Sequence, residues 1–65
     1  MSEQFIRDNN GKVIGRVVEE GNGNLRLHRA NGTIAGTWYK ATDGVHNDRM
    51  QFVGRGLANL YMLLD

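Results

Sequence analysis

Residues 54 to 59 read Gly-Arg-Gly-Leu-Ala-Asn, after the apolar pair Phe52-Val53 and before a leucine-rich tail. Their spacing follows the glycine fingerprint that sets a dinucleotide pyrophosphate against the free N–H groups at a helix start. Asn59 stands where the third glycine belongs, and no crossover to a parallel strand follows. The expectation is a strand-to-helix corner, where Arg55 and the helix start could at most hold a phosphate or carboxylate. Gly11-Lys12 lacks the preceding spaced glycine of a phosphate-binding loop. His28 and His46, with Asp48 nearby, offer two imidazoles and no evident third ligand, a poor set for zinc. Ser2 is the only serine and there is no cysteine, so no nucleophile of either type comes with a base to activate it. Nor do paired carboxylates converge. The chain reads as non-enzymatic, with no cofactor and no metal expected.

Binding chemistry is better represented. Trp38-Tyr39-Lys40, with Arg16 and Arg26, is an aromatic and basic group of the kind that stacks on single-stranded nucleic acid. Yet eight basic and seven acidic residues leave a net charge of only +1, far from the excess that marks nonspecific nucleic-acid binding. Arginine also suits planar protein contacts. The leading reading is therefore a small protein-binding module, with single-stranded nucleic-acid binding as the alternative.

These side chains must be positioned by very little structure. A chain of 65 residues reads as one domain, and a core of that size supplies about 3–5 kcal/mol. Without cysteine there are no disulfides, and self-association becomes the expected supplement. The absence of cysteine, of an apolar leader and of a long apolar run points to a cytoplasmic protein away from membranes.

The elements announce themselves by repetition. Arg7 to Gly15 reads RDNNGKVIG and His28 to Gly36 reads HRANGTIAG, a shift of 21 residues; His46 to Gly54, HNDRMQFVG, is a third copy a further 18 along. Asn-Gly between alternating apolar segments signals a hairpin, most simply a two-residue type I′ turn. That construction sets Ile6 opposite Gly15, Gln4 opposite Val17 and Leu27 opposite Gly36. One face then carries Ile6, Val13, Gly15 and Val17, continued by Leu25, Leu27, Ile34, Gly36 and Trp38. The other carries Phe5, Arg7, Ile14, Arg16 and Val18, then Arg26, His28, Ala35, Thr37 and Tyr39. In the third copy Met50 replaces the turn glycine. The turn there is either Arg49-Met50, by the repeat, or Asn47-Asp48, by residue type.

The pattern predicts a mostly β fold. It is an antiparallel meander of five or six short strands, about 4–8, 12–19, 24–29, 33–40, 45–48 and 51–54. Gly15, Gly36 and Gly54 recur at one place on the apolar face. Glycine weakens a strand, so their recurrence implies close approach by the C-terminal helix, another backbone or a large ring such as Trp38. Leu57, Leu60, Tyr61 and Leu64 have amphipathic spacing and predict a short helix at about 56–64. Leu60 and Tyr61 should face the sheet. Met62 and Leu63 widen the apolar surface past one stripe, so Leu57, Met62 and Leu63 are the expected subunit contact of a homo-oligomer, most simply a dimer.

The repeated pattern, closing with GRGLANLYMLLD, resembles a group of very short phage and proteobacterial proteins in which such hairpins precede a leucine-rich tail. The resemblance implies a compact β protein of mobile-element type that binds a host protein, and it supplies no functional residues. From the residues themselves, the mixed face bearing Arg7, Arg16, Arg26, His28 and Tyr39 is the expected partner site.

Overall fold

The computed structural model describes residues 2–64. Six strands form one antiparallel sheet: β1 Glu3–Arg7, β2 Val13–Glu19, β3 Leu25–Arg29, β4 Ile34–Tyr39, β5 Gly44–Asn47 and β6 Phe52–Arg55. Their spatial order is their sequence order, the meander the repeats predict. A short helix, α1 Ala58–Tyr61, and a 3-10 turn, Met62–Leu64, follow the sheet.

One turn design serves four of the five strand connections. The N–H of its fourth residue donates to the carbonyl of its first: Gly11 to Asp8, Gly23 to Glu20, Gly32 to Arg29 and Met50 to Asn47, at 2.9–3.0 Å. That fourth residue is left-handed, with φ of 82, 91, 91 and 63° respectively. The turn is thus type I followed by a left-handed residue, not the expected type I′. Type I′ would need positive φ at asparagine as well, and neither Asn10 nor Asn31 has it. Side-chain oxygens fix the bend. Asp8 Oδ1 accepts from the N–H groups of Asn10 and Lys12, and Asn47 Oδ1 accepts from those of Arg49 and Gln51. The third hairpin therefore turns over Asn47 to Met50, in the register of the repeat.

Past each hairpin turn, the returning strand holds one residue too many. Arg7 faces Val13 while Ile6 faces Gly15; His28 faces Ile34 while Leu27 faces Gly36; His46 faces Phe52 while Val45 faces Gly54. Ile14, Ala35 and Val53 are the additional residues of three equivalent β-bulges. The pairs Ile6–Gly15, Gln4–Val17 and Leu27–Gly36 stand as expected, but the bulge breaks the strict alternation nearer the turn. Val13 and Ile34 leave the apolar face and pair with Arg7 and His28, and Ile34 is 41% exposed. Ala35, expected on the mixed face, is instead buried.

Val17, Leu27, Ala35, Val45 and Leu60 form the buried cluster, with Ile6, Leu25, Trp38, Leu57, Leu63 and Leu64 packed against it. Trp38 closes one end, its Nε1–H donating to Asp43 Oδ1 at 2.8 Å. The three recurrent glycines make room for the tail. A Cβ on Gly15 would lie 3.0 Å from Leu64 Cδ2, one on Gly36 2.5 Å from Leu63 Cδ1, and one on Gly54 3.2 Å from Asn59 Nδ2. Of the three expected causes of that recurrence, the tail's close approach is found at all three glycines. A neighbouring strand's backbone also stands close at Gly15 and Gly36, where the Cβ would lie 2.7 Å from His28 O and 2.6 Å from His46 O.

Two tail assignments change. Leu57 and Leu63, expected between subunits, pack on their own sheet. Tyr61, expected against the sheet, is 39% exposed. The 3-10 tightening after Tyr61 re-aims the last side chains, so that Leu63 and Leu64 drop into the glycine gaps. Met62 stays outside, 66% exposed.

Candidate interaction face

The corner at Gly54 to Asn59 has a local structural role. Gly56 N–H donates to Asp43 O at 2.9 Å, and Asn59 Nδ2 donates back to Arg55 O at 2.6 Å. Asn59 stands where a dinucleotide site would need glycine, and there it locks strand to helix. No group of three His, Cys, Asp or Glu side chains suited to a metal ion occurs among the described residues.

The other face of the sheet is different in kind, because the tail lies entirely on the glycine side. Cross-strand pairing lines up two rows on this open face. One runs Phe5, Arg16, His28, Ile34; the other runs Glu3, Val18, Arg26, Thr37, His46, Phe52. Directly opposed residues share a face, so both rows point the same way. Phe5 is 53% and Phe52 61% exposed, at opposite edges of the sheet.

The two halves of this face carry different chemistry. Over β1 to β3 lie guanidinium–carboxylate pairs: Arg16 Nη1 to Glu3 Oε2 at 2.9 Å and Arg26 Nη2 to Glu20 Oε1 at 2.9 Å. Over β4 to β6 runs an aromatic ladder. Tyr39 and His46 meet edge to face with ring centroids 5.2 Å apart, and His46 and Phe52 follow at 5.7 Å. Such contacts hold rings in fixed orientation. The Nδ1 atoms of His28 and His46 are buried.

Of the five residues expected to form the partner site, Arg16, Arg26, His28 and Tyr39 come together here. Arg7, two residues past Phe5 on β1 and opposite Val13, shares the face at its margin. It sits at the end of the first hairpin, beside Val13, with Nη1 donating to Gly11 O of its own turn at 3.2 Å. Ile34 and Phe52 belong to the face and were missed by sequence reasoning; His46, the repeat equivalent of His28, lies there as its position in the repeat implies. The signal was present in the equivalent apolar doublets Val13-Ile14, Ile34-Ala35 and Phe52-Val53. Two adjacent apolar residues in an alternating strand mark a bulge, beyond which the faces exchange.

Two of the cavities among the described residues flank the sheet. The larger of these, about 480 Å³, lies between β1, β2, the start of β3 and the helix and is lined by Glu3, Gln4, Val17, Glu19, Leu25, Leu57 and Tyr61. The smaller, about 230 Å³, lies beside Phe5, Val13 and Arg16 and adjoins the open face. No described helix is long and apolar enough to cross a membrane. Comparison with family models, with curated proteins and with solved structures finds no match.

Proposed function

We propose that the chain is a non-enzymatic protein-interaction module whose binding surface is the open sheet face. The observation that carries this reading is the exposure of Phe5, Ile34 and Phe52 on one face, among Arg16, Arg26, His28 and Tyr39. Arginine and aromatic side chains together are the composition of interface centres. A protein partner is favoured over nucleic acid because Arg16 and Arg26 already hold carboxylates. Phosphates would have to displace Glu3 and Glu20 before gaining those charges. A host protein is the partner that the resemblance to short phage proteins implies.

The test is capture from the native host by the tagged full chain and by an Arg16→Ala, Tyr39→Ala variant, read by quantitative mass spectrometry. The variant is expected to remain folded by circular dichroism and to lose the proteins captured by the parent. Equal capture by both would remove this face from consideration. Titration with salt separates the two partner classes, since phosphate contacts would make affinity fall steeply with ionic strength.

A further inference from the structure

We infer that the outer edge of β1 pairs with β1 of a second copy, antiparallel about a twofold axis through Phe5, joining two sheets into one. The inference concerns the edge of the sheet, not its open face, and stands whether or not that face has a partner.

The backbone of β1 presents an unoccupied ladder. Ser2 O accepts from Glu19 N–H, and Asp8 N–H donates to Lys12 O. The even-numbered residues thus bond toward β2. Successive residues of an antiparallel ladder alternate, so the N–H and C=O groups of Glu3, Phe5 and Arg7 turn away from the sheet. Among the described residues no side chain bonds to these groups. The strand has no proline, and the extra residue of its hairpin lies in β2. Bulges and proline are devices that blunt an edge, and β1 has neither. The opposite edge is closed. β6 is four residues long and holds its own bulge at Val53. Its Arg55 carbonyl is already bonded, accepting from Asn59 Nδ2 at 2.6 Å.

The residues of β1 match a second β1. The strand reads Glu-Gln-Phe-Ile-Arg. Turned antiparallel on itself about Phe5, it sets Glu3 opposite Arg7 of the other copy, Phe5 opposite Phe5, and Arg7 opposite Glu3. These are the residues whose backbone points outward, so each pair exchanges two N–H···O bonds. Directly opposed side chains share a face, with Cβ atoms about 4.5–5.5 Å apart. Opposite charges therefore meet at both ends of the contact and two phenyl rings meet at its centre. A shift of two residues in either direction would set Phe5 against a charge. Arg7 bonds the Gly11 carbonyl of its own turn, and in the pair it gains a carboxylate. Glu3 holds Arg16 through Oε2, which leaves Oε1 to receive the second guanidinium. The contact is isologous and closes on itself, as a twofold dimer requires.

Sedimentation equilibrium of the full chain, at concentrations up to the high micromolar range, tests the inference. The intact chain is expected at dimer mass. Arg7→Glu and Glu3→Arg each set like charges opposite one another, and each is expected to raise the dissociation constant at least about tenfold. An equimolar mixture of these two variants restores opposite charges in both pairs and is expected to recover the dimer. Arg49→Glu, an equal change of charge at an exposed turn, is expected to leave the dimer unchanged. Phe5→Pro removes an N–H that the β1–β2 ladder does not use, and is expected to give a folded monomer by circular dichroism and sedimentation. Because the chain has no cysteine of its own, Phe5→Cys should form disulfide-linked dimers on oxidation, while Phe52→Cys should not. A monomeric intact chain overturns the inference, as does a dimer that Arg7→Glu leaves intact or a mixture that stays monomeric. If Phe5→Pro unfolds, the charge mixture decides. The open face is judged by capture of host proteins and the edge by self-association, so either reading can fail without the other.

Discussion

Met50 is the residue whose backbone and side chain disagree most. It occupies the left-handed turn position that glycine holds in the other copies, at φ 63°, and its side chain is 68% exposed. A β-carbon in that region costs about 1–3 kcal/mol, while glycine gives back part of any gain through the greater entropy of the unfolded chain. Met50→Gly is therefore expected to raise stability by about 0.5–1 kcal/mol, measurable by urea denaturation. The recurrent strand glycines should behave in the opposite sense. At Gly36 an added Cβ would lie 2.6 Å from the His46 carbonyl oxygen as well as against Leu63. Backbone cannot yield as a side chain can, so Gly36→Ala should cost about 2–3 kcal/mol. Gly54→Ala should cost less, because only the Asn59 side chain, 3.2 Å away, has to shift. Equal losses at the two sites in parallel melts would show that the tail does not distinguish them. Arg16→Ala and Arg26→Ala break ion pairs that are largely open to water. Each is expected to change stability by less than about 1 kcal/mol.

The helix is where the fold concentrates its dependence on one element. Leu60 is fully buried at the centre of the tail, and truncating such a leucine costs about 2–5 kcal/mol. That matches what a core of this size supplies, so Leu60→Ala should leave much of the population unfolded at room temperature by circular dichroism. The strands, their order and much of their pairing were legible in the residues. Asn-Gly located the turns, and Gly15, Gly36 and Gly54 located the groove in which the tail lies. The faces near each turn were not legible from alternation alone. A three-residue loop and a two-residue loop differ by one position, and one position exchanges inside for outside. That error put Ile34 and Val13 on the buried face and left Phe52 out of the candidate site. The doublets that betray the bulge look, singly, like ordinary strand residues; only their recurrence at the same place in three copies reveals them. The tail was misjudged for a related reason. Regular helical spacing sent Leu63 outward, whereas the 3-10 turn brings it onto Gly36.

At the scale of the whole molecule, the order of the strands governs how the chain finds its fold. Every strand pairs with its neighbour in sequence, so each ladder closes over a loop of a few residues, and closing short loops costs little entropy. Contacts this local favour rapid folding for a β protein. Any of the three hairpins can serve as the starting point, since each has its own turn and its own bulge. The tail is the exception. Leu63 reaches back to Gly36 and Leu64 to Gly15, and these distant contacts need the sheet to exist first. Docking of the tail is thus the late event of folding and its loss the first step of unfolding. Leu63→Ala should leave the refolding rate nearly unchanged in stopped-flow experiments and accelerate unfolding by about 5–30-fold, the equivalent of one to two kcal/mol. Slower refolding of that variant would instead place the tail in the nucleus. With the seven residues from Ala58 to Leu64 acting as the latch, the lifetime of the native sheet is set by a segment that contributes no strand to it.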